Sequence, residues 1–361
     1  MRKGILKLPE NRVRRNYLGG AGIDALHGRQ NCADNDRPEE WVGSMVEAAN
    51  PGMELIEHEG LAVIETEGGS RFLRDIVESQ KEYYLGTSIH KDGSWQLSFL
   101  LKILDSAMRL HVQAHPTTRF ANEIMGKPYG KLECYYILDV RADVDPYIRL
   151  GFQHAPAREE WREIVEHQDM PRMDGCFEKI PVKPGEVWYI PGGMPHAIGE
   201  GITMLEIMEP SDLVVRCEFE REGIVVPEGG RFMGRGLEFC LDIFDYTEYS
   251  KEEILEKCRI RPEIVDQTES LERLRLIGGK LTPCFFVDKL CVHHESVVRH
   301  NQKFTLGVVC SGCCTMEYES EQILLRPGDS FMIAAAVEEY RIVSEGDVEL
   351  VEVYPGKDME S

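Results

Sequence analysis

One pattern occurs twice in this chain, and it limits the fold more than any other feature. PGEVWYIPGGMPH begins at Pro184 and PGDSFMIAAAVEE begins at Pro327, a constant offset of 327 − 184 = 143 residues. In each copy apolar residues fill a short strand-length run behind a Pro-Gly turn, so the chain reads as a duplicated β unit rather than a single continuous core. The copies are unequal. Pro191, Gly193 and His196 of the first become Ala334, Ala336 and Glu339 in the second. The second copy keeps the strand and loses the polar group, so it is expected to serve packing.

The intact copy answers a second stretch, RLHVQAHPTTRFANEIMGKPYGKLECYYIL at 109-138. There Leu110, Val112 and Ala114 alternate with His111, Gln113 and His115, which places Gln113 and His115 on one face of a strand. With Glu133 downstream and His196 at the end of the intact copy, Gln113 and His115 form an N/O donor set suited to Zn²⁺ or a similar divalent ion. The strand, Pro-Gly turn and histidine at 185-196 resemble the second motif of the cupin barrels. The expected fold class is therefore mainly β, two cupin (jelly-roll) barrels with a small helical insertion or linker.

With 361 residues, two domains are expected. A metal-binding catalytic cupin domain is assigned to 1-235, a helical segment to 236-275 and a second, degenerate cupin domain without metal ligands to 276-361. Within the first, residues 71-85 have the spacing of one amphipathic helix and Leu97 to Leu104 that of a buried strand. Residues 156-167 read as a short helix. Residues 236-258 are helical in pattern, with Ser250 and Glu253 spaced as a capping box.

Composition narrows the function. Lys plus Arg number 41 against 63 Asp plus Glu, a net charge of −22. Such a field disfavours nucleic acid and anionic membranes as partners. An anionic small molecule then requires basic residues inside its own site, because screening confines the repulsion to about 8 Å. No apolar run reaches the ~18 residues of a membrane span, and the N-terminus has no signal-like apolar stretch, so a cytoplasmic location is expected. The 11 cysteines are scattered. Cys310, Cys313 and Cys314 lack a second CxxC to complete a zinc ribbon, and Ser311-Gly312 between them is expected to be a hairpin turn.

Long ordered blocks resemble the type I, zinc-dependent mannose-6-phosphate isomerases, a branch of the cupins. They are NRV-R-YLGG, PEEW, LLKILDSAMRLHVQAHP, GKLECYYIL, PGEVWYIPGGMPHAIGEGI, LEIMEPSD-VVR and the terminal PGDSFMI. The resemblance implies one zinc ion per chain, held by Gln113, His115, Glu133 and His196. It implies Arg216 as a catalytic arginine and Lys102 and Lys131 as lysines of the sugar pocket, with catalytic and substrate-binding roles. For the general base, Lys131 ranks first and Glu206 second. Two departures bear on the substrate. His111, flanked by Arg109, stands where family members usually carry a small hydroxyl residue, and Thr117-Thr118 replaces an acidic residue after His-Pro. Arg109 and His111 are accordingly assigned to substrate binding.

The resemblance implies interconversion of mannose 6-phosphate and fructose 6-phosphate by a monomer or homodimer. Isomerisation of another aldose or aldose phosphate, and a catalytically inactive sugar-binding cupin, are the alternatives.

Overall fold

The computed structural model describes residues 2–89 and 93–356. Three large sheets carry the architecture, of seven, five and nine strands. The seven-stranded sheet is central, and its strands explain the layering. In Leu100–Ser106 every residue is buried, and the same holds for Ile202–Met208. A strand buried on both faces reads as a continuous apolar run, because each face meets another layer.

Alternation sorts those faces. Leu101, Ile103, Cys134, Tyr136, Leu205 and Ile207 join a core shared with the nine-stranded sheet. Leu104, Tyr135, Ile137 and Met204 point the other way, into a core with Ile148, Leu150 and Ile198 of the five-stranded sheet. Beyond that sheet, Val112, Ala114, Ala197 and Val215 are covered by Trp161, Ile164 and Val165 of the helix Arg158–His167. Each buried aliphatic or aromatic side chain contributes roughly 1.5–3 kcal/mol, so the site between the two inner sheets rests on a rigid frame.

Several elements differ from expectation. The helix expected over 71-85 is a strand Gly69–Phe72, a helix Leu73–Ser79 and a second turn Lys81–Leu85. Phe72 is spent pairing with Val63, which delays the helix start. The capping box at Ser250 and Glu253 forms in full, but its helix ends at Cys258. Upstream, Leu237–Cys240 and Leu241–Ile243 are short helical turns, whereas beyond Cys258 the segment is not helical: Glu263–Gln267 and Leu271–Ile277 are strands of the nine-stranded sheet. Ile5–Leu8 joins that sheet as well, pairing with Ser330–Ile333, so its strands come from both ends of the chain.

Ser311-Gly312 is not a hairpin turn. Thr305–Ser311 and Cys314–Tyr318 both pair with the long strand Glu339–Pro355, at separate places along it. Gly312 sits at φ +75°, and a Cβ there would lie 2.3 Å from the Asp347 carbonyl. Close backbone approach, not strand reversal, requires glycine at this bend.

Candidate metal centre and sugar pocket

The two inner sheets each present a row of polar side chains to the space between them. On the five-stranded sheet, Gln113 pairs with His196 on one side and Arg216 on the other. On the seven-stranded sheet, Glu206 pairs with Lys102, and Glu133 begins its own strand. Strand pairing thus brings together residues 83 to 104 positions apart.

His115, Glu133 and His196 are all buried, and one donor atom from each lies within 4.8 Å of the others. His115 Nδ1 lies 2.8 Å from the Leu213 carbonyl and His196 Nδ1 lies 3.0 Å from the Met194 carbonyl. Each contact sets the tautomer with Nδ1 donating, leaving a lone pair on Nε2. Those Nε2 atoms face the Glu133 carboxylate, His115 at 3.0 Å and His196 at 3.5 Å. His115 Nε2 and Glu133 Oε1 make no hydrogen bond. Converging lone pairs in a dry site are unfavourable unless a cation lies among them, so the donor set fits a divalent ion. The Gln113 amide lies 3.3 Å from His196 Nε2, adjacent to the same point. Lys131 Nζ lies 3.1 Å from Glu133 Oε1, and Tyr135 donates its hydroxyl to Oε2 at 2.6 Å.

Electrostatics fix the charge states. Burial lowers His115 to about 4, with the Lys131 ammonium adding to the effect. Glu133 is pushed up by burial, yet Lys131 and His115 outweigh this and hold it well below the carboxylate range. Lys102 bridges Glu206 at 2.9 Å and Glu39 at 3.5 Å. Burial would lower its pKa, but those two carboxylates raise it. Glu206 is raised, chiefly by burial, with Lys102 opposing. Burial, followed by the Arg15 charge, lowers Arg216 to about 10. Burial lowers His111 to about 4.

Lys102, Lys131, Glu206, His111, Gln113 and Arg216 line one chamber of about 50 Å³. Arg109 does not line it. Its guanidinium forks onto the buried Glu218 carboxylate at 2.8 and 2.7 Å, in the layer behind the site. The substrate-binding role expected for Arg109 is therefore corrected to a structural one, since its donors are already engaged. Five polar chamber residues were not singled out from sequence: Arg15, Asn16, Tyr17, Glu39 and Asp212. Glu39, within the PEEW block, accepts hydrogen bonds from Tyr17 (2.6 Å) and Trp41 (2.7 Å).

A β-sandwich with buried histidine and carboxylate donors at the edge between its two sheets defines a metal-site protein of the cupin type. Residues 33–133 match the family described as phosphomannose isomerase type I, catalytic domain, and residues 281–355 match mannose-6-phosphate isomerase, cupin domain. The mannose-6-phosphate isomerase of Streptococcus mutans serotype c is 30% identical over 253 residues, 70% of this chain and 72% of the relative. The crystal structure of the Bacillus subtilis mannose 6-phosphate isomerase superposes with a TM-score of 0.71 at 20% identity, covering 98% of this chain and all of that one. A zinc-bound mannose 6-phosphate isomerase structure superposes with a TM-score of 0.70 at 17% identity, with coverage of 98% and 100%. The chain belongs to the type I mannose-6-phosphate isomerase family.

No helix among the described residues is long and apolar enough to cross a membrane.

Proposed function

We propose that this chain interconverts mannose 6-phosphate and fructose 6-phosphate, using one zinc ion held by Gln113, His115, Glu133 and His196. The observation that carries the reading is the convergence of His115 Nε2, His196 Nε2 and Glu133 in a chain of this family. When bound, zinc supplies fixed positive charge beside the sugar oxygens on which negative charge builds during aldose-ketose exchange.

The remaining roles fall to side chains. Arg216 offers a second fixed cation facing the chamber, where low dielectric strengthens it. Lys102 is held protonated by Glu206 and Glu39, so it acts as a cation and donor rather than as a base. The proton moved between C1 and C2 is assigned to Lys131 first, with Glu206 second; burial pushes the Glu206 carboxyl upward, in the direction a general base near neutral pH requires. A cytoplasmic location belongs to the same proposal and is supported by 11 free thiols.

The test follows turnover by NMR in deuterated water with zinc-loaded protein. Wild type is expected to convert mannose 6-phosphate to fructose 6-phosphate and to place deuterium at the exchanging carbon. Lys131→Met should abolish that exchange, whereas Glu206→Gln should only slow it; the reverse order would transfer the base to Glu206.

A further inference from the structure

Two hollows share one wall. The inner chamber holds Lys102, Lys131 and Glu206, while a smaller outer hollow is bordered by Asn50, Pro51, Met53 and Pro227; Arg15, Asn16 and Arg216 line both. These three residues stand at the throat between the inner chamber and the outer rim.

The guanidiniums at the throat are incompletely paired. Arg15 Nε lies 3.2 Å from Glu39 Oε1, but that carboxylate is also shared with Lys102, Tyr17 and Trp41. The Nη1 of Arg15 reaches only neutral acceptors, Asn50 Oδ1 at 3.2 Å and the Ala49 carbonyl at 3.5 Å. Arg216 donates from Nη1 to the Gly230 carbonyl at 2.7 Å and makes no ion pair among the described residues. His111, on the chamber wall and 5% exposed, has its Nε2 buried without a hydrogen-bond partner. The two guanidinium forks therefore face two carboxylates, Glu39, already shared, and Asp212, neither of which pairs with Arg216 directly, in a protein whose net charge is −22. Such forks match the oxygens of a phosphate dianion.

We propose that Arg15 and Asn16 seat the phosphate of the substrate and set the preference for a phosphorylated sugar over the free one. This rests on the isomerase reading above. Phosphate at the throat leaves the carbonyl end of the sugar directed toward Lys131 and the donor set. The chamber, about 50 Å³, is smaller than the roughly 300 Å³ at which ligand pockets begin. The long side chain of Arg15 must swing to admit a sugar phosphate, and the bound anion then holds it in place.

The test compares wild type, Arg15→Gln, Arg15→Lys and Asn16→Ala on mannose 6-phosphate and on mannose, with inorganic phosphate as competitive inhibitor. In Arg15→Gln the ratio of kcat/KM on mannose 6-phosphate to that on mannose should fall about 100-fold, and phosphate inhibition should weaken by a similar factor, the loss of a charged two-point contact. Arg15→Lys should recover only part of both. An unchanged ratio and unchanged phosphate inhibition in folded Arg15→Gln and Asn16→Ala would overturn the proposal. Should Arg15→Gln fail to fold, Arg15→Lys and Asn16→Ala decide the matter by phosphate inhibition. Should wild type lack activity on mannose 6-phosphate, the isomerase reading fails, and phosphate binding measured by calorimetry in wild type and Asn16→Ala still decides whether the throat is an anion seat.

Discussion

His115 Nε2 lies 3.0 Å from Glu133 Oε1, and neither atom makes a hydrogen bond, although both are buried. The arrangement is stable only with positive charge nearby, which Lys131 supplies in part at 3.1 Å. Glu133→Gln keeps the shape and removes the charge, so zinc affinity should fall more than about 100-fold. Tyr135→Phe removes only the 2.6 Å hydrogen bond to Oε2 and should cost about 10- to 100-fold, the range for outer-shell partners. Competition with a chromogenic chelator reads both values. Equal affinities in all three proteins would remove Glu133 from the donor set.

The Pro-Gly turn has a steric reason for glycine. A Cβ at Gly192 would lie 2.7 Å from Thr117 Cα and 2.8 Å from the Pro116 carbonyl, both backbone atoms that cannot rotate away. Gly192→Ala should therefore push the 191-196 turn from the segment after His115, lowering zinc affinity before it lowers the melting temperature appreciably. A variant with wild-type zinc affinity would show that the turn does not position His196.

Glu39 is pushed up by burial, but Arg15 and Lys102 prevail and hold it at about 2. With its folded pKa below the unfolded value of 4.5, its stabilisation is complete above pH 4.5 and is lost as pH falls through 2. Glu39→Gln should destabilise the fold by about 3 kcal/mol near neutrality, because it leaves Arg15 and Lys102 with less countercharge. The acid limb of its stability curve should be flatter than that of wild type. Urea unfolding at several pH values measures both effects.

Just past the strand Phe285–Arg299 of the nine-stranded sheet, burial lowers His300 to about 4, below the unfolded 6.5. The unfolded chain binds more protons between those values, so the contribution of this residue is complete above pH 6.5 and declines as pH falls toward 4. It amounts to about 3 kcal/mol at most. His300 contacts the Val337 carbonyl at 2.9 Å and the Thr305 hydroxyl at 2.9 Å. His300→Gln should flatten the stability curve in that window without altering zinc content. An unchanged slope between pH 6.5 and 4 would assign the acid sensitivity elsewhere.

The convergence of His115 and His196 was legible because its signals are local. A two-residue alternation carries Gln113 and His115, and a turn with defined spacing carries His196. Arg15 and Glu39 carry no such signal. They reach the chamber because Arg12-Val13 pairs with Glu39-Glu40, and Glu39–Val42 pairs in turn with the Lys102 strand, long-range contacts that local periodicity does not encode. Arg109 misled for the same reason, since its partner Glu218 is 109 residues away. The helix expected at 71-85 and the hairpin expected at Ser311-Gly312 failed where strand pairing overrode local propensity. The repeat at 327-339 lies in the nine-stranded sheet, but it carried no sign of the strands Ile5–Leu8 and Glu263–Gln267 that complete that sheet.

The central claim is zinc-dependent isomerisation, and one assay meets it directly. The purified chain is stripped with chelator and reloaded with zinc, and fructose 6-phosphate formation from mannose 6-phosphate is followed by a coupled reaction, with Arg216→Ala alongside. The account predicts no turnover without metal, full recovery at one zinc per chain, and a loss of at least about 100-fold in kcat for Arg216→Ala despite normal zinc content. A stoichiometrically loaded wild type that leaves mannose 6-phosphate unchanged would contradict it.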